Sequence, residues 1–554
     1  MLAPLRPLAR LLPLAFTITA GCAPNIPVPD PGAQLLYDPL GGTPHAFPDD
    51  FYTVADSKSA TGRRVHLVPG DNLTAVADYE KFRKLFADLS LLDGFGTTGK
   101  LFVHVEHPID ETTLPPSGDG SGAASASLLL VDMDPAASPR FVDFELKAVP
   151  ENGGGVDDSV TIVLSPMKPL RPMHEYGVAV TRKLLDANHN PVAPSAAMRA
   201  ILDGTATGSL ADRAARVRAL RDLLKAGGVT GDLAGAVTFT TGHTVDDSAE
   251  IARQIGRNRA KHILHLVDEK APCATDMQAG FRACEATLDG ADYRRAHLYV
   301  DESSLVAQAE WKLPVTIYLP VAGKAPYPTL LYGHGLGGDR HQAAQLAELA
   351  APKGYAVVAC DAVKHGDHPD RPSKIVGDAR LDTILDFFGF GLGDTLIDSR
   401  KLRDNFRQST YDKLQLVEAL RPGVDVDGDG TTDVGLDRFL YLGVSLGGIM
   451  SAEFLAFAPD VRIAIPIVPG ARVTEIVESS KTFSVVINLF RASATDGDVA
   501  RFFPLLQAAV DRGDSGAYAG HILHDRIAGF DARVPQALMQ MVIDDDTVPN
   551  PTNR

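Results

Sequence analysis

The stretch with the clearest chemistry is Gly443-Val444-Ser445-Leu446-Gly447. A β-prone apolar run, 438–442, leads into it, and helix-forming sequence, 449–457, leaves it. Glycines two places before and two places after the serine let a strand and a helix close around it, so its hydroxyl stands clear as a nucleophile. Ser445 is therefore the candidate catalytic residue, with a hydroxyl placed to carry an acyl group. The N–H of Leu446 falls at the helix start and is one candidate oxyanion donor. A second glycine-rich junction, Gly333-His334-Gly335-Leu336-Gly337-Gly338, follows the apolar run 328–332 and offers the other donor, the N–H of Leu336. Its spacing, G-x-G-x-G-G, fits neither phosphate-binding pattern.

Holding these groups in place requires strands and helices in alternation, and the chain shows that alternation from about residue 291 onward. Residues 296–300 and 313–319 read as an opening antiparallel pair, 342–349 as a helix, 355–359 as an apolar strand and 409–420 as an amphipathic helix. Such a pattern predicts an α/β fold, a mostly parallel sheet flanked by helices. Before it, short strands at 101–105, 127–131, 160–164, 176–181 and 237–240 predict a β-rich, sandwich-like domain. One helix interrupts that domain, with Leu210, Ala214, Val217, Leu220 and Leu224 at helical spacing behind the capping pair Ser209 and Asp212. Length alone gives a prior of roughly three domains. The expected divisions are a signal peptide at 1–21, a Pro/Gly-rich tether at 22–50, the β-rich domain at 51–250, a connecting segment at 251–290 and the catalytic domain at 291–554.

The amino end carries Arg6 and Arg10, an apolar stretch at 11–20, and Thr19-Ala20-Gly21-Cys22. This resembles a bacterial lipoprotein signal, which implies lipidation at Cys22 and a place at the outer membrane or cell surface. Ordinary cleavage and secretion is the rival reading. No stretch has the 18 or more apolar residues that span a bilayer, so membrane attachment is expected through the lipid alone. The formal charge of −17 comes without a basic patch and argues against a nucleic-acid partner. Export means an oxidising compartment, where Cys273 pairs with Cys284 and Cys360 stays a buried thiol, with a pairing through Cys360 left open.

Ahead of the Ser445 motif lies Asp425-Val426-Asp427-Gly428-Asp429-Gly430-Thr431-Thr432-Asp433. Oxygen-bearing residues at loop positions 1, 3, 5 and 9 (Asp425, Asp427, Asp429, Asp433), Thr431 at position 7 for its carbonyl, and a glycine at 6 follow the EF-hand pattern. Leu436 holds position 12 where a glutamate would stand. Close-set carboxylates repel one another without a cation, so a structural Ca2+ is expected, and an acidic solvated turn is the alternative. No organic cofactor is expected.

Taken together, Gly333-His334-Gly335, then Cys360 to Gly366, then Gly443 to Gly447 resemble the α/β-hydrolase fold in order and spacing. More narrowly, the chain resembles bacterial extracellular lipases of the virulence-factor type, which carry a β-rich domain before the hydrolase half. That resemblance implies an exported carboxylester hydrolase acting on a lipid or small ester. Residues 536–543 read as a late strand, and Asp544-Asp545-Asp546 opens the loop where the acid of a catalytic triad belongs. Aligned on Val548-Pro549-Asn550, the resemblance places Asp545 in the acid position, with Asp544 and Asp546 as neighbours. The triad histidine should follow the acid, yet none of the nine residues after Asp545 is histidine. Three expectations compete: a fragment of a longer lipase, a base supplied by His521 or His524, and a non-catalytic surface lipoprotein that uses the fold for binding.

Overall fold

The computed structural model describes residues 31–41, 45–67, 79–152, 157–268, 273–393, 395–484, 487–488 and 494–553. The signal segment, Cys22 and the start of the expected tether lie outside the described residues. Gly32–Arg554 packs as one compact unit.

Its amino-terminal half holds two sheets. One contains Leu101–Val105, Phe144–Pro150 and Val160–Pro166, and the other contains Leu128–Asp132, Glu175–Thr181 and Leu233–Thr240. Leu35, Val103, Val178 and Val237 fill the space between them. The strand 101–105 is buried at every position, which an alternating strand with one wet face would not be. The other side of its sheet is covered by helix Asp496–Val510 from the far end of the chain. Polar clamps fasten that contact: buried Asp511 accepts the N–H groups of Thr97 and Thr98, each at 2.8 Å, and Arg501 pairs with Glu151 at 2.9 Å. The β-rich half and the carboxy-terminal half thus share one apolar core.

The carboxy-terminal sheet includes strands β1 (Phe281–Asp292), β2 (Ala309–Pro320), β3 (Thr329–Gly333), β4 (Ala356–Cys360), β5 (Phe439–Val444), β6 (Val461–Ile467) and β7 (Gln536–Ala537). They lie in the order β1-β2-β4-β3-β5-β6-β7, with β2 antiparallel to β1 and β4 and every later pair parallel. A parallel sheet whose order reverses beside β3, next to a strand–serine–helix junction, is the α/β-hydrolase arrangement. Among its helices are α1 (Ala343–Ala350), α2 (Ala379–Phe387), α3 (Ser399–Leu420), α4 (Ser451–Phe457), α5 (Asp496–Val510) and α6 (Ser515–Leu523).

Several sequence boundaries shift. The segment 251–290 is not a connector: after a helix at Asp246–Arg257 it supplies Leu264–Leu266, Cys273–Asp276 and most of β1 to the carboxy-terminal sheet. Strand β1 alternates buried and half-buried positions, but its inward residues include Cys284, Ala286 and Gly290, too small to stand out as an apolar stripe. The opening antiparallel pair is therefore β1 with β2, and 299–300 belongs to a separate two-stranded ribbon. Helix α3 starts ten residues before the expected 409, capped by Asp398. Its first turns bury Arg403, Asp404 and Arg407, which pair among themselves and so escape a search for apolar periodicity. Ser209 caps nothing, because a 3-10 turn at Gly208–Leu210 takes it up before the helix Ala211–Ala226 begins.

One clasp between the halves is ionic. His243 Nδ1 lies 2.8 Å from Asp93, its Nε2 lies 3.4 Å from Asp247, and Arg512 bridges Asp93 and Glu302. Burial pulls the His243 imidazole down, but hydrogen bonds to Asp247 and Asp93 outweigh it and hold the group up at about 9, against the repulsion of Arg512. A raised histidine stabilises the fold fully below its unfolded value near 6.5 and loses that contribution as pH rises through about 9. Chemical denaturation between pH 6 and pH 10 is expected to show falling stability at the alkaline end, and His243→Gln is expected to flatten that part of the profile.

Candidate active site

Strand β5 delivers Ser445 to a sharp turn at the carboxyl end of the parallel sheet. Its backbone sits at φ 53° and ψ −114°, a conformation that costs a non-glycine residue about 1–3 kcal/mol and is held only by its surroundings. Those surroundings are explicit. The Ser445 N–H donates to Ile467 O at 3.0 Å, the Gly447 N–H to His334 O at 3.0 Å, and the Tyr441 hydroxyl to Gly447 O at 2.6 Å. Gly447 and Gly333 touch backbone to backbone, since a Cβ on Gly447 would lie 2.2 Å from Gly333 O. The serine side chain is half-buried rather than sealed, and its hydroxyl bonds to no described group.

The oxyanion loop is seated beside it. A Cβ on Gly335 would stand 3.7 Å from the Ser445 Cβ. Neither the Leu336 N–H nor the Leu446 N–H donates to a described backbone or side-chain acceptor, which leaves two unpaired donors beside the serine. His334 fixes the loop: its Nδ1–H donates to Gly335 O at 2.9 Å and its Nε2 accepts the Ala362 N–H at 3.0 Å. Burial drives this imidazole down to about 4, so it is a neutral brace and not a base. Arg340 and Asp361, which the sequence reading passed over, tie the loops after β3 and β4 together at 2.7 Å. An aspartate directly behind a wholly apolar strand was the available signal.

Of the three aspartates at 544–546, Asp546 is taken by Lys481 at 2.6 Å and Asp544 is exposed. Asp545 closes its own loop with Oδ1, which accepts the N–H groups of Thr547 at 2.7 Å and Val548 at 2.9 Å, while Oδ2 has no described partner. That loop packs on residues 468–472, as a Cβ on Gly470 would meet Val548 at 2.6 Å, and Val468 N–H donates to Gln540 O at 2.7 Å. The expected strand 536–543 is short: regular pairing covers Gln536–Ala537, and Leu538, Met539, Met541, Val542 and Ile543 are exposed.

No histidine among the described residues hydrogen-bonds Ser445 or Asp545. His365 donates from Nδ1 to Val363 O at 2.8 Å, and burial beside His334 holds it down at about 3. His368 pairs with Asp412. His521 bonds the Asp525 carbonyl and lies near the far end of α4, where Arg526 joins the carbonyls of His521 and Leu455. Ten residues of helix separate Leu455 from Ser445, roughly 15 Å. The structure therefore does not bring His521 to the serine, and His524, on the same turn, makes no contact with it.

Above the oxyanion loop lies α2. A Cβ on Gly337 would meet Arg380 at 3.0 Å, while Leu385 on another side of the helix lines an apolar cavity of about 50 Å3 with Phe390, Leu396, Val477, Phe502 and Phe503. Leu385, Phe390 and Leu396 thus form one wall of that cavity.

The acidic loop joins α3 to β5 at the amino end of the strand, away from the serine. Ligand oxygens of Asp425, Asp427 and Asp433 come within 4.8 Å of one another. Asp429 is not among them, its Oδ1 closing a turn on the Thr431 N–H at 2.7 Å, and Asp427 also pairs with Arg282. A protein cation thus offsets part of the repulsion that the sequence assigned to an ion. Cys273 and Cys284 form a disulfide across directly opposed positions of neighbouring strands, with Cα atoms 4.1 Å apart. Cys360 is buried and free, its thiol pushed up to about 12 by desolvation.

No protein-family model matches the chain, and no curated protein matches it. Among solved structures it is similar to an acetyl xylan esterase from Paenibacillus sp. R4, at 14% identity and a TM-score of 0.36 over 55% of this chain and 90% of that one. It is also similar to acetyl xylan esterase 1 from Thermoanaerobacterium, at 15% identity and a TM-score of 0.34 over 55% and 90% of the two chains. A putative dienelactone hydrolase from Klebsiella pneumoniae matches 33% of this chain and 59% of its own at 15% identity and a TM-score of 0.21. The strand order and the elbow around Ser445 define the chain as an α/β-hydrolase fold.

Proposed function

We propose that the protein is a serine carboxylester hydrolase. The observation that carries this reading is the conjunction of a strained, reachable Ser445 with two unpaired N–H groups, Leu336 and Leu446, beside it. The Ser445 oxygen attacks the acyl carbonyl, the two amides hold the resulting oxyanion, the alcohol leaves, and water cleaves the acyl-enzyme. Asp545 Oδ2 is the group that would orient an imidazole toward the serine. Without an imidazole the attack is slow, ~10⁴-fold below a complete triad. The finer reading is a lipid or small-ester substrate, with its acyl chain lying in the apolar cavity behind α2. Export and lipidation at Cys22 belong to the same proposal, and no helix among the described residues is long and apolar enough to cross a membrane.

A fluorophosphonate probe followed by mass spectrometry tests it. Labelling confined to Ser445, accelerated by free imidazole in the buffer, is the expected result. Absence of labelling with and without imidazole would instead favour the second reading, a binding lipoprotein, which rests on the serine's lack of a described base.

The acidic loop adds a structural proposal: Asp425, Asp427 and Asp433 hold Ca2+ weakly, in the range of about 10⁻⁴–10⁻³ M found in extracellular modules. Calorimetry is expected to show heat on adding millimolar calcium and none in Asp433→Asn. A silent titration of the unaltered protein removes the proposal.

A further inference from the structure

The edge of the carboxy-terminal sheet is bare. Strand β7 pairs with β6 on one side and with no described strand on the other. Beyond β7 the chain keeps bonding to β6, as Leu538 N–H donates to Ala464 O at 2.9 Å and Gln540 N–H to Pro466 O at 3.0 Å. Backbone groups alternate along a strand, so those of Met539 and Met541 face away from β6, and their N–H groups meet no described acceptor. The side chains are equally unprotected. Leu538, Met539, Met541, Val542 and Ile543 are 51% to 79% exposed, and Ile463 on β6 and Val534 just before β7 are exposed as well. Because successive side chains point to opposite faces, this apolar run is uncovered above, below and along its edge.

Monomeric proteins blunt such an edge with a charge, a proline or a bulge, since unpaired backbone beside apolar side chains recruits another strand. Between Gln536 and Ile543 there is no charged residue and no proline. A lipid surface would cover one face and leave the N–H groups unpaired. A polypeptide strand meets both needs. The charges select which strand. At the start of the run Arg533 and Arg462 share the carboxylate of Asp437, at 3.4 Å and 2.7 Å. At its end stand Asp544, Asp545 and Asp546, of which Asp546 alone has an ion-pair partner among the described residues, Lys481. A second copy running antiparallel sets the arginine end of each strand against the aspartate end of the other, whereas a parallel copy sets like charge against like.

We propose that this edge is the interface of a two-fold symmetric dimer, in which residues 538–542 of two copies pair antiparallel about Gln540. In that register Met539 and the partner's Met541 exchange the N–H and C=O bonds that neither makes alone, and Leu538 packs against the partner's Val542. The one polar side chain of the run 537–543, Gln540, then faces its own counterpart across the axis, as an isologous contact requires. The interface rests on no property of Ser445. Sedimentation velocity on the full chain at micromolar concentration is expected to give a dimer. Gln540→Lys and Gln540→Glu each place like charges face to face on the axis and are expected to weaken association roughly fivefold or more. An equimolar mixture of the two variants is expected to regain it. The Gln540 side chain is exposed and makes no described hydrogen bond, so both variants are expected to fold. The proposal is overturned if the unaltered chain sediments as a monomer, if it associates with phosphatidylcholine vesicles in place of itself, if Gln540→Lys dimerises as tightly, or if the mixed variants stay apart.

Discussion

Replacing Ser445 by alanine is expected to lower ester hydrolysis by ~10³-fold or more, measured with free imidazole present so that the serine's contribution is visible. In the variant the Leu336 and Leu446 amides remain, but no oxygen stands on the elbow to attack. The alanine is also expected to fold at least as well as the serine chain, because the hydroxyl makes no hydrogen bond to lose. A drop in activity without a drop in stability is the signature of a nucleophile. An unchanged rate would remove the serine from the mechanism and leave the fold without an assigned chemistry.

The second large effect is on stability. Gly447→Ala puts a methyl group 2.2 Å from Gly333 O and 2.8 Å from its Cα, both backbone atoms of a central strand that cannot swing away. The expected loss is ~3 kcal/mol or more, at the upper end of what overpacking a core produces. Denaturant midpoints would record it. Part of the strain would pass to the serine, because Gly447 N–H holds His334 O and with it the oxyanion loop. A displacement of about 1 Å there lowers rate by ~10²-fold. Gly393→Ala is the control, with nothing within 4 Å of the new methyl, and should leave both quantities unchanged.

Residues 443–447 announced the elbow because the constraint is local: glycines two positions either side of a serine are needed wherever backbone must close on backbone, and no distant contact alters that. The glycine-rich loop after β3 and five of the six main strands of the amino-terminal sheets were readable on the same ground, from turn residues and alternation within a few positions; Phe144–Pro150 was not, and the disulfide partners followed from the expected oxidising compartment. Asp545 came from the resemblance, by alignment on Val548-Pro549-Asn550; in the structure its Oδ1 closes its own loop, while Asp546 pairs with Lys481 and Asp544 is exposed. Local pattern failed at β1 and at the start of α3, where small or charged residues occupy the inward face and are tolerated only because something far away in sequence fills or neutralises the space.

Sequence by itself marked the elbow, the glycine-rich loop after β3 and the late aspartates at the carboxyl ends of the strands, because each sits in a short motif whose backbone demands are met by adjacent residues. Tertiary structure alone decided that the β-rich half is not a separate module, since Thr97, Thr98 and Glu151 find their partners, Asp511 and Arg501, 350 to 414 residues on. It also decided how His334 braces its loop, because only burial strips the ring of a proton and only the opposing Ala362 amide fixes which nitrogen accepts. Such long-range closures leave no periodicity in the chain, since each depends on a pairing that exists only once the two halves have met.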